Sequence, residues 1–196
     1  FNLDEKRTLF IALENGFHGD TFGAMSVSGL SVYNGPFEDF LIDVARIPVP
    51  DGTNTDEILL QLEKITKENK VAGFIYEPII QGAAGMKIYN AEGLDTILQF
   101  CKKNDILTIA DEVMTGFGKT GKNFASDFMD TKPDIICLSK ALTGGLLPMA
   151  ITSCTEKIYA AFLSNEMAKG FFHCHTYSAN PIACSAALAV VELLQT

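Results

Sequence analysis

The sequence predicts a parallel-rich α/β layer fold, and two observations carry this. First, the short apolar runs Ile106–Ala110 and Ile135–Leu138 each end in charged or polar residues and continue into glycine-containing sequence. That is the pattern of buried parallel strands opening into loops at their C-terminal ends. Second, runs of strand length alternate with segments of helix length along the chain.

Taken in order, Arg7–Leu13 (RTLFIAL) reads as a buried strand broken by Asn15-Gly16. The small-residue stretch FGAMSVSG after Phe17-His18-Gly19-Asp20-Thr21 reads as a helix, capped by Asp20 or Thr21. Residues 31–54 carry Gly35, Pro36, Pro48, Pro50 and Gly52 and read as an irregular surface excursion. Thr55–Asn69 has Ile58, Leu59, Leu62 and Ile65 on one helical face and an acidic first turn after a Thr cap. Val71–Tyr76 is a strand ending at Glu77-Pro78, and Gln81–Gly85 is a flexible loop. Ala91–Lys103 is a second amphipathic helix with Leu94, Ile97, Leu98 and Cys101 inward. Met149–Cys154 is a further strand and Ala179–Gln195 an Ala-rich helix.

A chain of 196 residues, 47% hydrophobic with mean hydropathy +0.18, suits one compact domain. A net charge of −9 argues against general nucleic-acid or anionic-membrane binding. The five cysteines are odd in number and lack C-x-x-C spacing, which suits reduced thiols in the cytoplasm. No apolar run approaches the roughly 18 residues that span a bilayer, and no signal-like start is present. The chain lacks an initiator Met and its first strand begins almost at once, so a fragment of a longer protein is expected.

Ligands of open α/β sheets sit at the carboxyl ends of the strands. There the first run delivers Asp111 and Glu112, and the second delivers Ser139 and Lys140. A structural ion pair between Asp111 and Lys140 is one reading. The other is chemical: a lysine in a desolvated cleft, uncrowded by the following Ala-Leu-Thr-Gly-Gly, can form a Schiff base. A carboxylate opposite can hold a pyridine nitrogen protonated, and Phe17 can stack on such a ring. Gly116–Asn123 matches the phosphate-loop spacing G-x-x-x-x-G-K. Asn123, however, replaces the Mg²⁺-binding Ser or Thr, and four residues separate the loop from the strand. It reads as a glycine-rich surface loop, with a nucleotide-binding module as the competing interpretation. His173-Cys174-His175 has no second cluster to complete a metal site, so no metal is expected.

The segment Thr108–Gly145 resembles the pattern of the class III pyridoxal-phosphate aminotransferases: Asp-Glu, G-F-G-[KR]-T-G, Pro-Asp, an apolar strand, Ser/Gly-Lys and x-x-x-Gly-Gly. Phe17-His18-Gly19, Glu77-Pro78, Gln81-Gly82, His175-Thr176-Tyr177 and Asn180-Pro181 extend the likeness over nearly the whole chain. The resemblance implies a fold-type-I large domain, three-layer α/β/α with a mostly parallel sheet, of which residues 1–196 are a part. The N-terminal segment and the C-terminal small domain are expected to lie outside it.

By the same resemblance, Lys140 is the Schiff-base lysine and proton shuttle, and Asp111 the partner of the pyridine nitrogen. Phe17 and Val113 sandwich the ring. His175-Thr176 reaches the cofactor of a neighbouring subunit, implying a homodimer with shared sites. His18 and Glu77 support the site, with ordinary strand-end polar residues as the alternative. Ala83, Met114 and Asp20 set the chain apart from ornithine and 4-aminobutyrate enzymes. They bring it closer to the subgroup that aminates 8-amino-7-oxononanoate in biotin synthesis, using adenosylmethionine or lysine as donor. Another ω-aminotransferase is the alternative within the class. In that subgroup Asp20 lies near the substrate amino groups, or else simply caps its helix. Phe17 replaces the usual Tyr and Cys174 the usual Gly, and both are substrate-side positions.

Overall fold

The structure is a computed structural model that describes residues 6–195. Eight strands run in chain order: β1 (Leu9–Leu13), β2 (Val44–Ile47), β3 (Val71–Tyr76), β4 (Ile80–Gln81), β5 (Lys87–Ile88), β6 (Leu107–Asp111), β7 (Ile135–Leu138) and β8 (Ile151–Cys154). The helices are α1 (Phe22–Val27), α2 (Thr55–Glu68), α3 (Ala91–Lys103), α4 (Glu156–Ala160) and α5 (Pro181–Leu194). Six strands form one sheet in the order β2-β1-β3-β6-β7-β8, parallel throughout except for β8. From β1 the chain crosses to β2 on one side and, by way of β2, to β3 on the other. β1 and β3 therefore flank the point where the winding direction reverses.

One face of the sheet is closed by the two amphipathic helices. Ile58 and Leu62 of α2, together with Leu94, Ile97, Leu98 and Cys101 of α3, pack on Ile11, Leu13, Phe74, Tyr76 and Ala110. Burial of this apolar set is the main force holding the parallel strands in register. Strand β6 is also tied to β7 by Asp134, whose carboxylate accepts from Thr108 N at 2.9 Å and Thr108 Oγ1 at 3.0 Å. Side chains on the opposite face, such as Phe10, Ile75, Ile109 and Ile135, stay only half-buried. Among the described residues, no helix is long and apolar enough to cross a membrane.

Several expectations need correction. Residues 31–54 are not wholly irregular: they hold a 3₁₀ turn at Gly35–Phe40 and the edge strand β2, in register Phe10↔Val44 with β1. Helix α2 begins with Thr55 inside it. Asn54 precedes it and turns its side chain back to Asp51 N and Val49 O instead of capping. Gln81–Gly85 is not a free loop: Gln81, fully buried, ends β4, and the residues after it turn the β4–β5 hairpin. Thr21, not Asp20, caps α1, accepting from Ala24 N at 3.3 Å. Strands β1, β6 and β8 and helix α5 begin one or two residues later than expected.

Candidate active site

Four adjacent parallel strands, β1, β3, β6 and β7, end side by side and deliver the chemistry in sequence order. Past β1 come Phe17 and His18, past β3 Glu77, at the end of β6 Asp111 to Val113, and past β7 Ser139 and Lys140.

Asp111 is bound from two directions. Its Oδ1 accepts from Val113 N at 3.1 Å, and its Oδ2 lies 2.8 Å from His18 Nδ1. The Asp111 side chain keeps 11% exposure, whereas the His18 side chain keeps 2%. The partner of Asp111 is thus His18, not Lys140, and the structural Asp111–Lys140 ion pair is not formed. Across the β6–β7 register Asp111 faces Cys137, whose thiol is pushed up by burial and by the Asp111 carboxylate.

Glu77, 7% exposed, holds the loops together. Its Oε2 accepts from Phe17 N at 3.2 Å and its Oε1 from Gly82 N at 3.0 Å. Burial raises its carboxyl above the ordinary range against the lowering pull of those two N–H groups and of His18. Tyr89 donates its hydroxyl to the Glu77 carbonyl from beneath. The Phe17 ring, which these bonds position, is 38% exposed.

Lys140 departs from the desolvated lysine expected. It is exposed, and no described group bonds or pairs with its amine. Its backbone is held at φ 48°, in the left-handed region, between Ser139, whose hydroxyl donates to Met149 O at 2.6 Å, and the Gly144 turn. A non-glycine residue in that conformation costs about 1–3 kcal/mol and persists where its surroundings impose it.

Asp20 is exposed beside Phe17, in a shallow depression also lined by Met25, Ser28 and Tyr33. Thr21 caps the helix, and the Asp20 carboxylate makes no hydrogen bond or ion pair among the described residues. Cys174, His175 and Thr176 lie in an exposed segment. The bonds of His175 are local, to Ser178 Oγ and Tyr177 N, and none joins these three residues to Phe17, His18, Asp111 or Lys140. Within one chain they are not part of the cleft.

The glycine-rich loop is a connector. Gly121 N bonds Gly118 O, Gly118 N bonds Asn123 O, and Lys122 Nζ is spent on Asp127 O at 2.7 Å with the Phe128 ring 4.5 Å away. The fully buried Glu112 anchors the loop, accepting from Thr115 Oγ1, Ala125 N and Ser126 N at 2.6, 3.0 and 2.7 Å. Sequence reasoning singled out Glu112 only as a neighbour of Asp111, and passed over Gln81 as loop. An acidic residue directly behind a strand end and ahead of a glycine-rich loop was the available signal for the first. For Gln81 the signal was the Gln81-Gly82 match to the family pattern.

A mostly parallel sheet with a carboxylate–imidazole pair, an aromatic face and an unpaired lysine on adjacent strand ends is the large-domain architecture of fold-type-I transferases. The chain belongs to the class-III aminotransferase family, whose model matches residues 2–196. It is 44% identical to the adenosylmethionine-8-amino-7-oxononanoate aminotransferase of Synechococcus elongatus, over 98% of this chain and 47% of that protein. With the Staphylococcus aureus protein of the same name it shares 43% identity, over 97% and 45%. The structure of the Methanocaldococcus jannaschii protein of that name superposes with TM-score 0.90 at 42% identity, covering 98% of this chain and 45% of that one. An amine transaminase from an uncultivated Pseudomonas species, in its PLP-bound form, gives 0.89 at 33% identity, over 96% and 46%. The chain spans about half the length of the relatives it matches.

Proposed function

We propose that the full-length protein is a pyridoxal-phosphate-dependent aminotransferase that moves an amino group from adenosylmethionine or lysine to 8-amino-7-oxononanoate, a step of biotin synthesis in the cytoplasm. The observation that carries this reading is the Asp111–His18 pair at 2.8 Å on the strand ends next to Lys140, whose amine has no partner among the described residues.

The residues fit the cofactor. Asp111 would hold the ring nitrogen, Phe17 and Val113 would bound the ring faces, and Lys140 would take the aldehyde carbon. The bound cofactor supplies an electron sink that makes a substrate C–H acidic. The chain's own groups do the rest. Lys140 holds and moves the proton at that carbon, a task worth about 10²–10⁴-fold for a positioned acid/base. His18 orients Asp111, and Glu77 fixes the backbone that carries Phe17. Asp20, free of capping, would face the substrate amino groups from the Phe17 side.

The exposed 171–178 segment, with Cys174, His175 and Thr176, supports a homodimer in which these residues complete a neighbour's site: Thr176 at the cofactor phosphate, Cys174 near the substrate. Residues 1–196 form the large domain of this reading, with the remaining cofactor-phosphate and substrate-carboxylate contacts supplied by other parts of the full-length protein. The relatives that share the name above are 36–44% identical, whereas several solved ω-transaminases are 29–30% identical, which favours the biotin-pathway acceptor over another ω-aminotransferase.

The test uses the full-length protein. Wild type should show the visible absorbance of bound cofactor, retain it covalently after borohydride, and aminate 8-amino-7-oxononanoate with one of the two donors. Lys140→Ala should lose the covalent retention. If Lys140→Ala still traps cofactor covalently, the lysine assignment fails. Tight ATP binding abolished by Lys122→Ala would instead favour a nucleotide module.

A further inference from the structure

Two buried polar atoms beside the site have no hydrogen-bond partner, His18 Nε2 and Gln81 Oε1. His18 Nε2 and the side-chain amide of Gln81 border the same spot. A Cβ placed on Gly16 would stand 3.1 Å from His18 Nε2 and 3.8 Å from Gln81 Nε2, so the missing side chain at Gly16 keeps the gap between them open.

Donor and acceptor counts there point one way. Gln81 Nε2 donates to the Glu14 carbonyl at 2.7 Å, which fixes the amide orientation and leaves Oε1 as a pure acceptor. On the other side of the imidazole, Nδ1 meets Asp111 Oδ2, an acceptor when ionised. The charged groups facing the ring, Asp111 from β6 and Glu77 from the end of β3, are both carboxylates. Buried polar groups in folded proteins are almost always satisfied, by protein or by ordered water. An imidazole with an acceptor on each side satisfies both by carrying hydrogen on both nitrogens.

We infer that Gln81 is a positioning residue of the active site: its side-chain carbonyl accepts from His18 Nε2–H through one water in the gap beside Gly16, and thereby keeps hydrogen on that nitrogen while Nδ1 faces Asp111. The positioning role rests on the function proposed above for Asp111, while the hydrogen-bond inference does not.

Imidazole ¹⁵N chemical shifts of the full-length, cofactor-free protein at neutral pH test it, with the His18 signals identified by their loss in His18→Gln. In wild type both His18 nitrogens should give protonated-type shifts. Gln81→Met should turn Nε2 into a bare nitrogen. Gln81→Glu, which keeps an acceptor but loses the amide donor to Glu14, should restore both protonated signals. A bare Nε2 in wild type, or a Gln81→Met spectrum identical to wild type, overturns the inference. If Gln81→Met does not fold, the wild-type and Gln81→Glu spectra still decide. Cofactor absorbance of the reconstituted wild type is read separately: its absence would sink the aminotransferase reading and leave the histidine result standing.

Discussion

His18 Nδ1 stands 2.8 Å from Asp111 Oδ2, and these two side chains come from strand ends 93 residues apart in sequence. One strand, β3, lies between their parent strands. The pair is therefore a product of the winding of the sheet, which brings the loop after β1 over the neighbouring strand to meet β6. Its consequence is testable at the carboxylate. Asp111→Asn keeps the shape and removes the charge. It should lower kcat/KM by about 10²–10³-fold, the scale of losing one preorganised electrostatic group, with little change in Tm. Steady-state kinetics of the full-length protein measure it, and an unchanged rate would remove Asp111 from the mechanism.

Glu77 gives a pH signature. Its folded-state carboxyl is raised above 4.5, mainly by burial. By linkage, its contribution to stability is full below the unfolded value near 4.5 and is lost as pH rises through the folded value. Glu77→Gln removes that titration, so the wild-type minus variant difference in unfolding free energy should become less favourable to wild type as pH rises above 4.5. Denaturant melts across that range report it. A difference that stays flat would mean Glu77 is not held in the environment described.

Glu112 should matter for folding more than for chemistry. Glu112→Ala strips acceptors from three buried donors, Thr115 Oγ1, Ala125 N and Ser126 N. At about 1 kcal/mol or more for each orphaned donor, a loss of roughly 3 kcal/mol is expected. Urea melts would show it, accompanied by faster proteolysis within 116–124, the connector that Glu112 pins.

Thiol reactivity separates core from surface. Cys101 is fully buried between α3 and the sheet, and burial pushes its thiol up to about 12. Under native conditions at neutral pH, iodoacetamide should label Cys154, which is exposed, and spare Cys101 until the protein is unfolded. Mass spectrometry of the labelled peptides reads the order directly.

Periodicity and local chemistry were enough to place β3, α3 and β7 residue for residue, because each is a continuous apolar or amphipathic segment whose period is written locally. The same holds for the strand ends that carry Glu77, Asp111 and Lys140, and for the family likeness of the ordered motifs between Thr108 and Gly145. Strand β2 escaped because VARI is four residues among prolines and glycines; only pairing to β1, with Arg46 reaching Ser26 O and Ser28 O at 2.8 Å, makes it a strand. The β4–β5 hairpin, Ile80↔Ile88 and Gln81↔Lys87, is two residues a side, too short for an alternating pattern to show.

By itself, then, the sequence determined which polar and charged residues stand at which strand ends, since residue identity and short-range periodicity suffice for that. Only the tertiary structure decided who partners whom. It gave Asp111 to His18 and not to Lys140, turned Glu112 into the anchor of the glycine-rich loop, and brought the Gln81 amide and His18 together beside Gly16. Those choices depend on the winding direction of the sheet and on donor–acceptor geometry between segments up to 93 residues apart, and neither leaves a local trace in the chain.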